Sequence, residues 1–105
     1  MSQATIINKS LMPEGVFVER GQITNLNAAL EIGTYQVIGN TPIVGLPQGA
    51  YQYGNLVVYG GLNFRVQEYY PHRDMGYAFY VRIWYNNQDA FTSWRGIMGV
   101  VVSNT

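Results

Sequence analysis

The run Tyr77–Ile97, YAFYVRIWYNNQDAFTSWRGI, decides the fold. It opens in strict alternation: Tyr77, Phe79, Val81, Ile83 and Tyr85 share one face, and Ala78, Tyr80, Arg82 and Trp84 the other. A repeat of two built from β-branched and aromatic residues is a strand signature. Asn86, Asn87, Gln88 and Asp89 break it. Asn and Asp tolerate left-handed backbone and hydrogen-bond to their own main chain, so these four residues make a turn. Ala90–Ile97 returns with Phe91, Trp94 and Ile97. The run is a β-hairpin with two tryptophans near its tip. Trp84 is on the outward face of its strand if Tyr85 points inward. Arg82 and Arg95 are placed either to pair with Glu68 or to stack on the tryptophans, as guanidinium groups do on aromatic faces.

Upstream, Leu62–Tyr70 is a strand with Leu62, Phe64 and Val66 on one side and Asn63, Arg65 and Gln67 on the other. Gly60-Gly61 before it is a tight hairpin turn, since glycine reaches positive φ without steric cost. Leu56–Tyr59 is a continuous apolar run, the pattern of a strand buried on both faces. Thr34–Gly39 is a further strand, with Tyr35 and Val37 on one face. Between these strands, residues 40–53 hold Pro42, Gly45, Pro47 and Gly49 and read as a loop. Residues 23–32 are the one helix candidate: Thr24 or Asn25 can cap the start, Leu26, Ala29 and Leu30 share a face, and Gly33 can end it. Pro71–Gly76 is the most polar loop, and Gly99–Val102 a last β-prone run. At the front, Ala4–Ile7 and Val16–Val18 are β-prone runs joined by a turn at Met12–Gly15. So small a piece is marginal alone. Residues 1–22 therefore read as an arm that anchors on something else, through Ile6, Ile7, Val16, Phe17 and Val18. The fold class is mainly β: a small antiparallel β-sheet domain over residues 23–105 with one short helix, preceded by an extended N-terminal arm.

A chain of 105 residues is one domain by length and buries roughly 65% of its unfolded surface. Charged residues make up 11% of it, against ~25% in soluble domains. Six basic and six acidic residues cancel. Such a surface lacks the basic face that nucleic acid requires and favours association with other protein. There is no cysteine, hence no disulfide framework and no thiolate chemistry. No leader sequence is evident, and no stretch approaches the ~20 apolar residues of a membrane helix.

The chemistry on offer is sparse. His72 and Asp74 are a lone pair of donors, too few for zinc within one chain; only a threefold axis would multiply them, and the expectation is no metal and no cofactor. Glycoside hydrolysis needs two placed carboxylates; Glu68, Asp74 and Asp89 are eligible, but nothing around them marks an acid or a base, so no catalytic residue is expected. A sugar-binding surface is better served. Tyr69, Tyr70, His72 and Arg73 in one loop region, and Asn86, Asn87 and Asp89 at the hairpin tip, combine aromatic faces with planar polar groups and are the candidate glycan contacts. Trp84 and Trp94 are assigned to the core or to a subunit interface.

Several segments together resemble the pyocin knob domain of bacteriophage tail fibres and R-type pyocin fibres. They are Ile23-Thr24-Asn25-Leu26-Asn27 with Gly33-Thr34-Tyr35-Gln36-Val37, then Gly54–Gly60, then Phe64-Arg65-Val66-Gln67, and finally Tyr80-Val81-Arg82, the Asn-rich turn and Ser93-Trp94-Arg95. The resemblance spans residues 23–97. It implies a non-enzymatic homotrimer, assembled in the host cytoplasm into a virion, with the arm held by other virion proteins and bacterial surface polysaccharide as the target. Fibres of the family carry a long shaft ahead of the knob, where residues 1–22 stand here. A head-fibre or capsid-decoration role without receptor binding is therefore the alternative. A small soluble carbohydrate-binding domain is the second.

Overall fold

A computed structural model describes residues 18–104. Ile6, Ile7, Val16 and Phe17 of the expected arm lie outside the described residues. The chain is mainly β. One sheet contains β1 (Glu19–Gln22), β2 (Gly33–Val37), β3 (Gly54–Gly60), β4 (Phe64–Pro71), β5 (Phe79–Tyr85), β6 (Ala90–Phe91) and β7 (Arg95–Ile97). The strands lie side by side in chain order through β6, with β7 also paired to β5. Every pairing is antiparallel except that of β1 with β2, which is parallel. Glu19–Gln22, within the stretch expected as an arm, are thus a strand of the sheet, and Val18 just before them is exposed.

Among the described residues, one face of the sheet is covered and the other open. On the covered face Tyr35, Val37, Leu56, Val58, Tyr69 and Tyr80 form the core with Leu26, Ala29 and Ala50. The cover is residues 23–32 and the loop 38–53, which are tied together by bonds from the Leu26 amide to the Val44 carbonyl and from the Val44 amide to the Thr24 carbonyl, both 2.8 Å. The described residues cover one side of this strand, and Leu56–Tyr59 is not buried on both faces. Leu56 and Val58 are buried, while Tyr59 is exposed. The hairpin turn is also wider than two glycines: Gly60 still pairs with Arg65, leaving Gly61–Asn63 as the turn. Gly60 is required there by φ of 143° and by a Phe64 carbonyl that a Cβ would meet at 2.5 Å. Leu62, taken as the start of the next strand, sits in that turn 92% exposed. Gly99–Val102 forms no strand, and its valines are exposed.

The second strand of that hairpin inverts the usual sense of a polar pattern. The side that carries Arg65, Gln67 and Tyr69 faces the core, and the side with Phe64 and Val66 faces out. Gln67 is fully buried. The cause lies in the cover. Residues 23–32 are not a helix: only Leu26–Ala28 make a short 3-10 turn, capped by the Asn25 side chain on the Asn27 amide. A chain that leaves helical conformation presents carbonyls that need donors, and buried carbonyls without them are costly. Here side chains supply them. Gln67 Nε2 donates to the carbonyls of Leu26 (2.7 Å) and Ala29 (2.9 Å). Arg65 Nε donates to Leu30 (2.8 Å), Tyr35 Oη to Glu31 (2.9 Å) and Arg20 Nη2 to Ile32 (2.8 Å).

The remaining oxygen of Gln67 accepts from Arg82 Nε at 2.8 Å, and Arg82 Nη2 donates to Asn27 Oδ1 at 2.9 Å. Arg82 is 7% exposed and has no carboxylate partner among the described residues. Burial lowers its pKa to about 10, so it is cationic at neutral pH. Its charge is met by two rings instead, with Phe91 at 3.7 Å and Trp94 at 4.3 Å. A bulge makes this possible. Phe91 pairs with Trp84 and Arg95 with Val81, so three residues, 92–94, oppose two, 82 and 83. The extra residue shifts the parity. Phe91 and Trp94, three apart, then lie on the same covered face and close on Arg82 from two sides.

Replacing Arg82 by Ala strands the buried Gln67 oxygen, takes a donor from the part-buried Asn27 oxygen and empties the space between the rings. We expect a loss of about 3–5 kcal/mol in urea unfolding. Arg82→Lys keeps the charge but loses the planar two-donor fork, and an intermediate loss is expected. Equal stability of Arg82→Lys and the parent chain would show that charge alone matters.

Candidate functional site

Beside the Arg82 clamp the covered face opens into a cleft of about 410 Å³ lined by Pro47, Gln48, Tyr77, Tyr80, Ser93, Trp94 and Gly96. The loop 38–53 brings Pro47 and Gln48, β5 and the residues leading into it bring Tyr80 and Tyr77, and the bulge and β7 bring Ser93, Trp94 and Gly96. Trp94 is fixed by its indole N–H, which donates to the Gly45 carbonyl at 2.9 Å. Tyr77 and Tyr80 meet edge to face, 5.5 Å apart at 61°. The Tyr77 ring rests on Gly96, where a Cβ would come within 2.5 Å of it. Burial, with Tyr77 and Asp74 contributing, raises the Tyr80 phenol above its ordinary pKa, and it stays neutral at physiological pH.

The open face has a different chemistry. Phe64, Val66, Tyr70, Phe79, Val81, Ile83 and Tyr85 lie on it beside Tyr59 and Ile97. Tyr70 and Phe79 stack at 4.9 Å and 16°. Within this apolar field Glu68 has both carboxylate oxygens occupied, accepting from Tyr59 at 2.5 Å and from Tyr70 at 2.7 Å. Those bonds push both phenols up to about 12.

The candidate glycan contacts do not gather at one place. Tyr69 is removed from the set, being fully buried with its hydroxyl on the Tyr51 carbonyl at 2.5 Å; its neighbour Tyr70 points to the opposite face. His72 lines a hollow of about 400 Å³ with Tyr53, Gly54 and Asn55, and the exposed Arg73 lies over the Tyr51 ring at 5.2 Å. Asn86, Asn87 and Asp89 are at the other end of the sheet, the length of β4 away, roughly 25 Å. Asp89 holds the turn, with φ of 49° and its carboxylate on the Trp84 indole N–H at 3.2 Å. Trp84 lies on the covered side of β5, half-buried, and Tyr85 on the open side. Of the pairings considered for Arg82, the stack on Trp94 is the one formed; Glu68 lies on the other face.

The acids nominated for hydrolysis are apart from one another. Glu68 is on the open face, Asp74 accepts from the Gly76 amide at 2.7 Å, and Asp89 serves the tip. Among the described residues no group of three His, Cys, Asp or Glu side chains could hold a metal. Sequence reasoning missed Gln48, Tyr77, Tyr80, Ser93 and Gly96 as neighbours. The spacing of Phe91 and Trp94 was the available signal: three residues apart cannot share a face of a regular strand, so a bulge had to intervene.

Comparisons with protein-family models, curated proteins and solved structures find no match to this chain.

The Glu68 cluster gives a pH prediction. The two phenols ionise near 12 in the folded chain against about 10 unfolded. A raised pKa in the folded state contributes stability that is complete below pH 10 and lost as pH rises towards 12. Absorbance of tyrosinate near 295 nm should show Tyr59 and Tyr70 titrating late, alongside Tyr69, which burial also raises, and Glu68→Gln should bring the first two down towards 10 while leaving Tyr69 late. An unchanged titration curve in Glu68→Gln would mean that the carboxylate does not hold them.

Proposed function

We propose that this chain is a knob-type module of a bacteriophage virion: a non-enzymatic homotrimer, docked to the particle through its N-terminal segment and facing bacterial surface glycan. The observation that carries this reading is where the residues of the resemblance meet. Leu26, Asn27, Gln67, Arg82 and Trp94 come from segments far apart in the chain and join in one bonded and stacked unit. Residues that define a fold by holding its layers together behave in this way, and a chance likeness of short motifs has no reason to.

Two further observations support the reading. The open face is broad and aromatic, and Glu68 at its centre has both carboxylate oxygens bonded by Tyr59 and Tyr70, so copies of the chain can cover that region with its acceptors already satisfied. The aromatic cleft on the covered face has the makeup of a binding site and holds no carboxylate for hydrolysis. A head-fibre or capsid-decoration role uses the same assembly without the cleft. A small soluble carbohydrate-binding domain uses the cleft without the assembly, and the cleft is the observation that favours it.

Sedimentation equilibrium at micromolar concentration should give the mass of three chains, and immunogold labelling should place the protein on virions whose genome encodes it. Ile83→Lys on the open face should yield a folded chain of monomer mass, because a charge buried between subunits costs several kcal/mol. A monomeric parent chain would overturn the trimeric reading.

A further inference from the structure

We infer that the cleft between Gln48 and Gly96 is a subsite for an uncharged sugar ring, with Tyr77 as the platform on which the ring stacks. The inference rests on the glycan-facing reading above and deepens it, since it names the site and the class of sugar. Nothing in the sequence pointed to these residues; the fold assembles them.

The platform comes first. Tyr77 is 42% exposed, although its ring is seated on the Gly96 backbone and held at its edge by Tyr80. A half-exposed ring with fixed tilt offers an apolar face to the C–H side of a pyranose. The wall comes second. Trp94 is immobilised twice, by its N–H on Gly45 and by its ring on Arg82. A site whose aromatic parts are already ordered loses little side-chain entropy on binding. Third, Gln48 and Ser93 are exposed at the cleft, and their side chains form no hydrogen bond to another described residue. An amide and a hydroxyl offer donors and acceptors together, as sugar hydroxyls require.

Charge sets the class. Among the described residues no Asp, Glu, Lys, Arg or His lines the cleft, and the guanidinium of Arg82 is spent on Gln67 and Asn27 and screened by the Trp94 and Phe91 rings. An acidic sugar would lose the hydration of its carboxylate with no counter-charge in return. A neutral hexose, deoxyhexose or N-acetylhexosamine would not. The volume, about 410 Å³, falls at the low end of ligand sites, which run ~300–1,000 Å³, and suits one or two rings rather than a long chain. The absence of a carboxylate from the lining makes this a site for holding sugar and not for cleaving it.

The test uses the full chain and a panel of methyl glycosides of glucose, galactose, rhamnose, N-acetylglucosamine and glucuronic acid, followed by 1H–15N NMR. With at least one neutral glycoside, the indole N–H of Trp94 and the amides of Ser93 and Gly96 should shift on titration, while the indole of Trp84 stays in place. Glucuronoside should shift them less. Tyr77→Ala should weaken binding at least about tenfold, equivalent to ~1.4 kcal/mol. Gly96→Ala, which pushes the ring off its seat, should reproduce the loss with Tyr77 intact, and Gln48→Ala should cost a smaller factor. No shift at Trp94 with any neutral glycoside at tens of millimolar, or binding unaltered in Tyr77→Ala, overturns the proposal. So does a Tyr77→Ala chain that changes its oligomeric mass and nothing else, because the cleft is then an interface. Failure here is separable from failure of the knob reading. A trimer found on virions whose sugar-induced shifts fall at Asn86–Asp89 overturns the cleft alone. A monomer absent from virions that binds neutral sugar at Trp94 supports the cleft and overturns the knob.

Discussion

The carbonyls of residues 26–32 govern the architecture. A helix would have satisfied most of them internally, and its apolar face would have called for an apolar sheet beneath. The chain instead lays down irregular backbone, and five of its carbonyls draw a donor from the sheet or its edge: Gln67 at Leu26 and Ala29, Arg65 at Leu30, Tyr35 at Glu31, Arg20 at Ile32. The centre of the covered face is therefore polar by necessity. Gln67 can be fully buried because each end of its amide is bonded, two carbonyls on the nitrogen and one guanidinium on the oxygen. Removing a member of such a network exposes the others to the full cost of desolvation.

That same necessity explains what could be read from the sequence and what could not. The hairpin of β5, its Asn-rich turn and the strands around Tyr35, Leu56 and Gln67 were legible because period two is a property of the strand itself. Asn25 as a cap was legible because capping is local. The helix over 23–32 was not refused by any local signal; it loses to tertiary bonds from residues up to 41 positions away. The strand at Leu56–Tyr59 looked two-sided because apolar residues that face an open aromatic surface resemble core residues in composition. For the candidate site, the residue types were right, aromatic and planar polar, but the strands carry Tyr69 inward and the tip away, and the cleft draws on Gln48, Tyr77 and Ser93, whose proximity depends on how the loop 38–53 crosses the sheet.

The two faces thus divide the work. The open face is apolar and self-satisfied: Glu68 is bonded at both oxygens by phenols that resist ionisation up to about 12. Around Glu68 it is chemically ready for burial, and its charged groups, the exposed Arg95 and the Glu19 carboxylate held by Gln36, stand towards its edges. The covered face near Trp94 is the reverse. It has rigid rings and unspent polar side chains, and its one cation, Arg82, is held behind the Trp94 and Phe91 rings. Surfaces made for assembly and surfaces made for recognition are expected to differ in this respect.

The bulge at residues 92–94 joins fold to recognition. Without the extra residue, Trp94 would stand on the open face and Arg82 would keep one ring in place of two. Gly96 would also change sides, and Tyr77 would lose the bare backbone it rests on. One inserted position in a short edge strand therefore sets both the clamp on the buried cation and the geometry of the cleft. A chain that conserved energy alone could replace Arg82, Gln67 and the bulge with apolar residues over a regular helix. Keeping the irregular cover and the polar network beneath it makes physical sense if the shape they impose on Trp94, Gly96 and Tyr77 is what the domain is for.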